Sequence, residues 1–600
     1  MRFFRLFQAK TTAQAGHIIL CLALHCTAAF FCSLTGQAQT IGQEQCLPQS
    51  PPVLPDLPPS GLSPLQQSLY WLLKSKPTAR FGFTGLQDDP AQMDALLTEL
   101  YMDCGIIPRW VTEYGPDQKR VHDLLEVLEK AGEEGLVPAR YRPADIVALL
   151  PARDRESLAR LDILLTLAMS SYINDMRKGR AASSRFDPNL LAAVRDSGGD
   201  VPQMIKEGLI SSNLKQFLAM QAPQHQAYFA LKKLLAEYRR IEAAGGWPQI
   251  PTGKKLEPGM ADERLGLLAQ RLLITGDLPS SSATDIQQKT FEMYDDELVK
   301  AVKHFQTRYN LEHDGIIGTT TLIALNIPVQ DHISKIILNL ERWRWLPHQL
   351  GGRRLLVNIA GFSLTGMNDE QTELFMPVIV GEFNHKTPVF SEAMTYMEIN
   401  PYWTVPPSIA RKEIVGKMQK DPRYLSKQRI RIFTGWHESA AEISPAAINW
   451  HTIGAGITRY RLRQEPGKGN ALGTIKFIFP NNKSIYMHDT PGQALFKQVK
   501  RSFSHGCIRV SRPLDLATYI LQHDGQEMSE KQLKKRIASG KQIAIILKNP
   551  IPVHILYLTA LVAEDGTAHF YDDVYGNDAL LAEALRVDSP DKPGQYSFSE

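Results

Sequence analysis

The residues best suited to chemistry lie in the run Phe503-Ser504-His505-Gly506-Cys507-Ile508-Arg509-Val510. Cysteine reacts as its thiolate, and a preceding glycine lets backbone and substrate approach closely. Adjacent backbone N–H groups in such a loop can face a developing oxyanion. Upstream, His488 ends the run Ile485-Tyr486-Met487, which has strand composition. A helix is predicted from Pro513 to Gln522, with proline at its start. If that start lies close to Cys507, its partial positive charge favours the thiolate. A strand end meeting a helix start gives a Cys–His pair in which the imidazole takes the thiol proton. The competing reading is an inert packing cysteine, since free cysteine is among the most buried residue types. The density of the Ser-His-Gly-Cys run and the strand-terminal histidine weigh against it.

Other motifs carry less. Ser212-Asn213-Leu214-Lys215 fits Ser-x-x-Lys, but Lys386-Thr387-Pro388 lacks the glycine of the companion motif. Gly454-Ala455-Gly456 lacks a third glycine and reads as a loop. There is no H-E-x-x-H, Walker A loop or paired C-x-x-C, so no metal and no cofactor are predicted.

The elements that must position these residues change texture along the chain. Leu47–Pro64 is proline-rich and reads as an extended linker. From Leu65 to about Trp247 apolar residues recur at spacings of three and four, as in Val121, Leu124, Leu125 and Leu128. This predicts an α-helical scaffold, its helices separated by clusters such as Phe186-Asp187-Pro188-Asn189. Ala261–Pro328 reads as a small separate helical unit. An amphipathic run through Phe305-Gln306 leads to the turn Asp314-Gly315-Ile316-Ile317-Gly318, then to a second helix after Thr321. From Leu355 the texture is β, in Leu355–Ile359, Met376–Val380, Thr474–Phe479, Ser484–His488, Gln542–Leu547 and Val553–Val562. Tyr402–Gly469 is less strand-like and reads as an insertion over the sheet, of the kind that forms lids.

The totals bound the function. A chain of 600 residues exceeds one core and suggests several domains. Lys+Arg 67 against Asp+Glu 63 is near balance, so nothing points to nucleic acid as partner. Arg2, Arg5 and Lys10 precede Ile18–Leu34, which holds no Asp, Glu, Lys or Arg, and Gly36-Gln37-Ala38 follows. This is a secretory leader with small residues at its cleavage site; the alternative is an uncleaved anchor. Cleavage after Ala38 removes Cys21, Cys26 and Cys32 and leaves Cys46, Cys104 and Cys507. An odd count in an exported chain predicts at least one free thiol, with Cys46 and Cys104 free to pair or not.

Ser504-His505-Gly506-Cys507 with His488-Asp489-Thr490-Pro491 resembles the signature of the L,D-transpeptidase catalytic domain. Asn400-Pro401-Tyr402-Trp403-Thr404-Val405-Pro406-Pro407, Tyr460-Arg461-Leu462-Arg463-Gln464 and Gly469-Asn470-Ala471-Leu472-Gly473 are similar to its large periplasmic Gram-negative branch. The segment around Phe305–Leu325 resembles a peptidoglycan-binding domain. Arg509 stands where some members carry asparagine.

The resemblance implies an α+β multidomain chain. Its parts are a signal peptide at 1–38, a linker at 39–64, a helical scaffold at 65–260 and a peptidoglycan-binding-like module at 261–328. A catalytic domain follows at 350–549 with a capping insertion at about 402–469, then a C-terminal extension at 550–600 packing on scaffold or catalytic domain. It further implies a periplasmic murein L,D-transpeptidase acting on peptidoglycan stem peptides, with other cell-wall synthesis proteins as partners. Cys507 is the implied nucleophile and His488 its base. Either a loop carbonyl or the Asp489 carboxylate orients His488. Gly506 and Cys507 N–H groups with the Tyr486 hydroxyl make the oxyanion hole. Ser504, His505, Arg509 and Trp403 line the substrate site, Trp403 as an aromatic of the insertion. An L,D-carboxypeptidase and a non-catalytic wall-binding scaffold are the rival readings.

Overall fold

The computed structural model describes residues 54–84, 86, 89–103, 105–181, 199–279, 293–526 and 528–586. The predicted leader, the first part of the proline-rich linker up to Val53, Cys46, Cys104 and the Phe186–Asn189 separator lie outside these residues.

Helices α1 (Pro64–Lys74), α2 (Pro90–Met102), α3 (Gln118–Glu129), α4 (Arg155–Lys178) and α5 (Gln226–Ala243) build the scaffold. Helix α1 starts where Ser63 and Gln66 exchange backbone and side-chain hydrogen bonds, a capping box that satisfies two otherwise orphaned donors. Helix α4 is buried nearly all round, from Leu158 to Met176, as expected of a helix at the centre of a bundle. Helices α6 (Leu265–Ile274), α7 (Asp296–Arg308) and α8 (Thr319–Leu325) follow, and then α9 (Val329–Arg344). Within this part Gln306 Nε2 donates to Asp314 Oδ1 at 2.9 Å and Gln306 Oε1 accepts from Gly315 N at 2.8 Å. The Phe-Gln and Asp-Gly pairs of the motif therefore hold the turn between α7 and α8. The segment, expected to be a small helical unit, packs directly on the scaffold. Leu268, Phe305 and Leu325 lie in one continuous core with Leu69, Leu164 and Leu235 of the scaffold, because α6 and α7 turn their apolar faces onto it.

The β region begins with β1 (Arg353–Asn358), β2 (Ser363–Asn368), β3 (Gln371–Gly381) and β4 (Phe390–Ile399). Within the insertion lie β5 (Trp403–Thr404), β6 (Ile430–Phe433), β7 (Glu442–Ile443) and β8 (Arg461–Gln464). Then come β9 (Ile475–Ile478), β10 (Met487–His488), β11 (Ser502–Ser504), β12 (Ile508–Val510), α10 (Pro513–His523) and β13 (Ile543–Leu556). The chain continues through β14 (Ala560–Val562), β15 (Ala568–Phe570) and α11 (Asn577–Leu585). The main sheet runs β11-β3-β12-β10-β9-β4-β13-β1-β2, and β2 also pairs with β3, so the sheet closes on itself. Closure removes the exposed strand edges that an open sheet would present. Its core joins Val357, Val378, Met397, Phe477, Met487 and Ile508 to Leu516 and Ile520 of α10. The architecture is α+β: helices first, then a closed, mostly β domain.

The sequence reading is extended at one place and corrected at another. The insertion is less strand-like, as expected, but its short strands β5-β8-β6-β7 form a small sheet of their own around Val405, Ile414, Ile432, Ile457 and Leu462. The strands are two to four residues long, too short for alternation to announce them. The catalytic sheet also does not end at 549. Strand β13 passes through Pro550, because a register shift between Ile546 and Ile551 takes the intervening residues out of the ladder, and Pro552 rejoins it opposite Ala393. Asp524 holds that irregularity by accepting the N–H groups of Lys548 at 2.9 Å and Asn549 at 2.6 Å. Past β13 the chain packs on the helices. Leu558 and Phe570 join the scaffold core, and Leu581 and Leu585 meet Leu338 and Trp345. Among the described residues no helix is long and apolar enough to cross a membrane.

Candidate active site

Strands β10 and β12 pair in parallel, with Met487 opposite Ile508 and His488 opposite Arg509. Met487 and Ile508 are fully buried in the sheet's core. Side chains alternate along a strand, so Tyr486, His488, Cys507 and Arg509 take the other face. Strand β9 pairs antiparallel with β10 and sets Lys476 opposite His488, between the buried Ile475 and Phe477. One face of three adjacent strands therefore gathers a thiol, an imidazole, a phenol and two cations. The predicted helix start does not reach Cys507. Helix α10 begins at Pro513 with β12 in between, so its dipole is not what faces the thiol.

His488 is held by its own neighbour. Its Nδ1 lies 2.5 Å from the Asp489 carbonyl oxygen, so Nδ1–H donates and Nε2 keeps a free lone pair. Of the two expected orienters, the backbone carbonyl takes the place. The Asp489 carboxylate is occupied elsewhere: Oδ2 accepts from Thr474 N and Oγ1, both at 2.8 Å, and Oδ1 accepts from Thr490 N at 2.7 Å. It anchors the turn that carries the histidine. Gly473, at φ +61°, leaves room for this, since a Cβ there would sit 2.3 Å from the Asp489 carboxyl.

Burial governs the electrostatics. It lowers His488 to about 3, so the imidazole is neutral across the ordinary range. Burial raises the Cys507 thiol above its usual value, opposed by hydrogen bonding to Tyr486 and by Lys476 and Arg509. Burial and the adjacent Cys507 push the Tyr486 hydroxyl well up, so it remains a donor toward sulfur. The resting site thus holds a neutral thiol and a neutral imidazole on one face of the sheet. His488 gains its proton only near its lowered value. The acid limb of a kcat/KM profile is therefore expected well below pH 6.5, with no inflection there; a limb centred at 6.5 in steady-state rates measured against pH would contradict this.

The cysteine loop is braced from inside. Ser504 Oγ donates to the Cys507 carbonyl at 2.5 Å and accepts Gly506 N–H at 3.1 Å. This spends the Ser504 hydroxyl on the loop, away from any substrate contact, and engages the Gly506 N–H expected in the oxyanion hole. The Cys507 N–H has no partner among the described residues. Gly506 itself adopts φ +114°, a conformation only glycine takes readily. Thr387 Oγ1 accepts from Gly381 N at 2.8 Å and donates to the Gly506 carbonyl at 2.7 Å, clasping the loop to the end of β3.

The remaining expected residues fall in different places. His505 is exposed, and its Nε2 lies 2.9 Å from Glu413 Oε1 of the insertion. Arg509 is half-buried on the site face, and Lys476 Nζ sits over the Tyr486 ring at 4.3 Å from its centroid. Trp403 packs against the insertion's own core, the role of a packing tryptophan. Thr387, Lys476, Glu413 and the asparagines at the insertion's base were not foreseen. Asn470 Nδ2 donates to the Pro401 carbonyl at 3.1 Å, and Asn400 Nδ2 donates to Ile537 O at 3.0 Å. Lys476 was open to discovery, since it alternates with two apolar residues in a strand beside His488. Glu413 was not, because it lies far from the motif in sequence.

Family models match three parts of the chain: "L,D-transpeptidase catalytic domain" over residues 352–545, "Scaffold domain" over 95–235 and "Putative peptidoglycan binding domain" over 267–325. A curated Haemophilus influenzae protein named "Putative L,D-transpeptidase" is 32% identical over 247 residues, 41% of this chain. The match spans 48% of that protein, so the chain aligns with about half the length of the relative. Among solved structures, an L,D-transpeptidase from Xylanimonas cellulosilytica is 13% identical, covering 51% of this chain and 98% of its own at TM-score 0.16. The Ldtfm–avibactam carbamoyl enzyme is 11% identical, covering 35% and 51% at TM-score 0.17.

Proposed function

We propose that this chain, which belongs to the L,D-transpeptidase family with scaffold and peptidoglycan-binding domains, is an exported murein L,D-transpeptidase forming 3→3 diaminopimelate cross-links. One observation carries the reading. The strand register puts Cys507, His488 and Tyr486 on one face, and the Asp489 carbonyl fixes His488 with Nε2 free to act as base.

The steps follow from those groups. Cys507 Sγ attacks the carbonyl of the third stem residue, a diaminopimelate, while His488 Nε2 takes the thiol proton. The new C–S bond replaces the C–N bond to the terminal D-Ala, whose amine leaves with the proton held by His488. The side-chain amine of a second stem's diaminopimelate then attacks the thioester. His488 accepts its proton, and Cys507 is released. The Cys507 N–H and the Tyr486 hydroxyl are the donors for the oxyanion in both steps. Arg509 and Lys476 are suited to stem carboxylates on the same face. Periplasmic action and the stem-peptide substrates belong to this reading, and so does cleavage of the leader after Ala38.

An L,D-carboxypeptidase would use the same thioester with water as acceptor. The folded insertion favours transfer over hydrolysis, since its Glu413 reaches His505 beside the nucleophile and so brings the insertion to the loop. The test is incubation of the chain beginning at Gln39 with disaccharide-tetrapeptide, read by mass spectrometry. A dimer that has lost one D-Ala is expected. Tripeptide monomer alone would replace the reading by carboxypeptidase, and unchanged substrate together with no acylation of Cys507 by a carbapenem would overturn it.

A further inference from the structure

A second cluster lies beside the Cys507 loop, and the acyl-transfer steps proposed above assign it no role. Glu382, His385 and His505 each offer one ligand atom, all within 4.8 Å of one another. The two rings stand 5.0 Å apart. Glu382 Oε1 is 2.6 Å from His385 Nδ1, and the Glu382 N–H donates to the Ser504 carbonyl at 2.9 Å. The turn that carries the first two residues is thereby bonded to the loop that carries the third. Its geometry is fixed: a Cβ on Gly381 would come within 2.0 Å of the His385 carbonyl oxygen. The neighbouring ammonium of Lys386 is engaged by the Tyr575 carbonyl at 2.8 Å.

We propose that Glu382, His385 and His505 form a binding site for a borderline divalent cation of the Zn2+ class. Two imidazoles and one carboxylate suit such an ion, whereas hard cations of the Mg2+ and Ca2+ class prefer all-oxygen sets. His505 directs Nε2 at Glu413, 2.9 Å away, so Nδ1 is the nitrogen left to ligate. Glu413 then supports the ligand from outside, in the carboxylate–imidazole–metal arrangement common to metal-binding histidines. A bound ion ties together the turn after β3, the Cys507 loop and the insertion through one residue, His505.

The test is equilibrium dialysis of Zn2+ with the Cys507→Ala chain, which removes the thiol as a competing ligand, and the visible spectrum of Co2+ in the unsubstituted chain. One equivalent of Zn2+ is expected, with a Co2+ spectrum free of thiolate charge transfer. His385→Ala and Glu382→Gln should each weaken binding by at least about tenfold, and Glu413→Gln by about 10–100-fold through the outer contact. Unchanged melting temperatures show that the variants fold. Zn2+ uptake that vanishes in Cys507→Ala, or that survives unchanged in both His385→Ala and Glu382→Gln, would overturn the site, as would no uptake.

Discussion

Cys507→Ala is expected to reduce cross-linking by on the order of 10^4-fold or more, the scale at which removing a covalent nucleophile acts. The loss should fall in kcat, because the sulfur is bonded to carbon only along the reaction path. Cys507→Ser should be nearly as damaging. A hydroxyl is far less ionised than a thiol, and His488, neutral and lowered by burial, is a weak base for it. Neither change should unfold the domain. The side chain is only part-buried, its sulfur lies 3.8 Å from the Ser484 carbonyl, and the loop is held by Ser504 and Thr387 instead. Dimer formation followed by mass spectrometry, alongside melting temperature, checks both halves. Substantial cross-linking by folded Cys507→Ala would remove Cys507 from the mechanism.

The second large effect is on stability. Asp578 in α11 is fully buried, with Oδ1 2.6 Å from Arg342 Nη1 of α9 and 3.1 Å from Thr559 Oγ1. Asp578→Ala leaves the Arg342 guanidinium buried without its carboxylate, which typically costs about 3–5 kcal/mol. Urea unfolding followed by tryptophan fluorescence should show the midpoint falling sharply, with hydrogen exchange faster in α9 and α11 first. The contrasting control is Asp56→Ala. It breaks the Lys74–Asp56 pair, whose carboxylate is fully exposed, and should change stability by less than about 1 kcal/mol. Equal effects from the two substitutions would refute the buried-pair account.

These two sites differ in how much of them could be read beforehand. Cys507 and His488 were legible because each sits in a short local pattern, and a strand register needs only alternation to bring them together. The orienter of His488 was not, since a carbonyl and a carboxylate of the same residue are indistinguishable in sequence. The Gly506 N–H was assigned to the oxyanion, but the Ser504 hydroxyl two residues back reaches it first. Asp578 and Arg342 gave no signal. They lie far apart in the chain, and a buried ion pair has no local pattern. The helices were visible through their period, whereas β13 was divided in the reading by its prolines. The insertion was recognised as an interruption of the sheet, but its own small sheet was hidden by strands of two to four residues.

The scaffold core contains Leu69 near one end of the described chain and Phe570 near the other. Arg308 Nε, buried between them, donates to the Ala568 carbonyl at 2.7 Å across 260 residues of sequence. Seen in time, the helices made first are finished last. Contacts of such span form late in folding, so the apolar face of α1 to α9 is expected to close only when β14 and β15 dock. The whole β domain lies in the sequence between α9 and the two strands that complete that core. A chain that ends within the β domain lacks β14 and β15 and is expected to leave the scaffold core open.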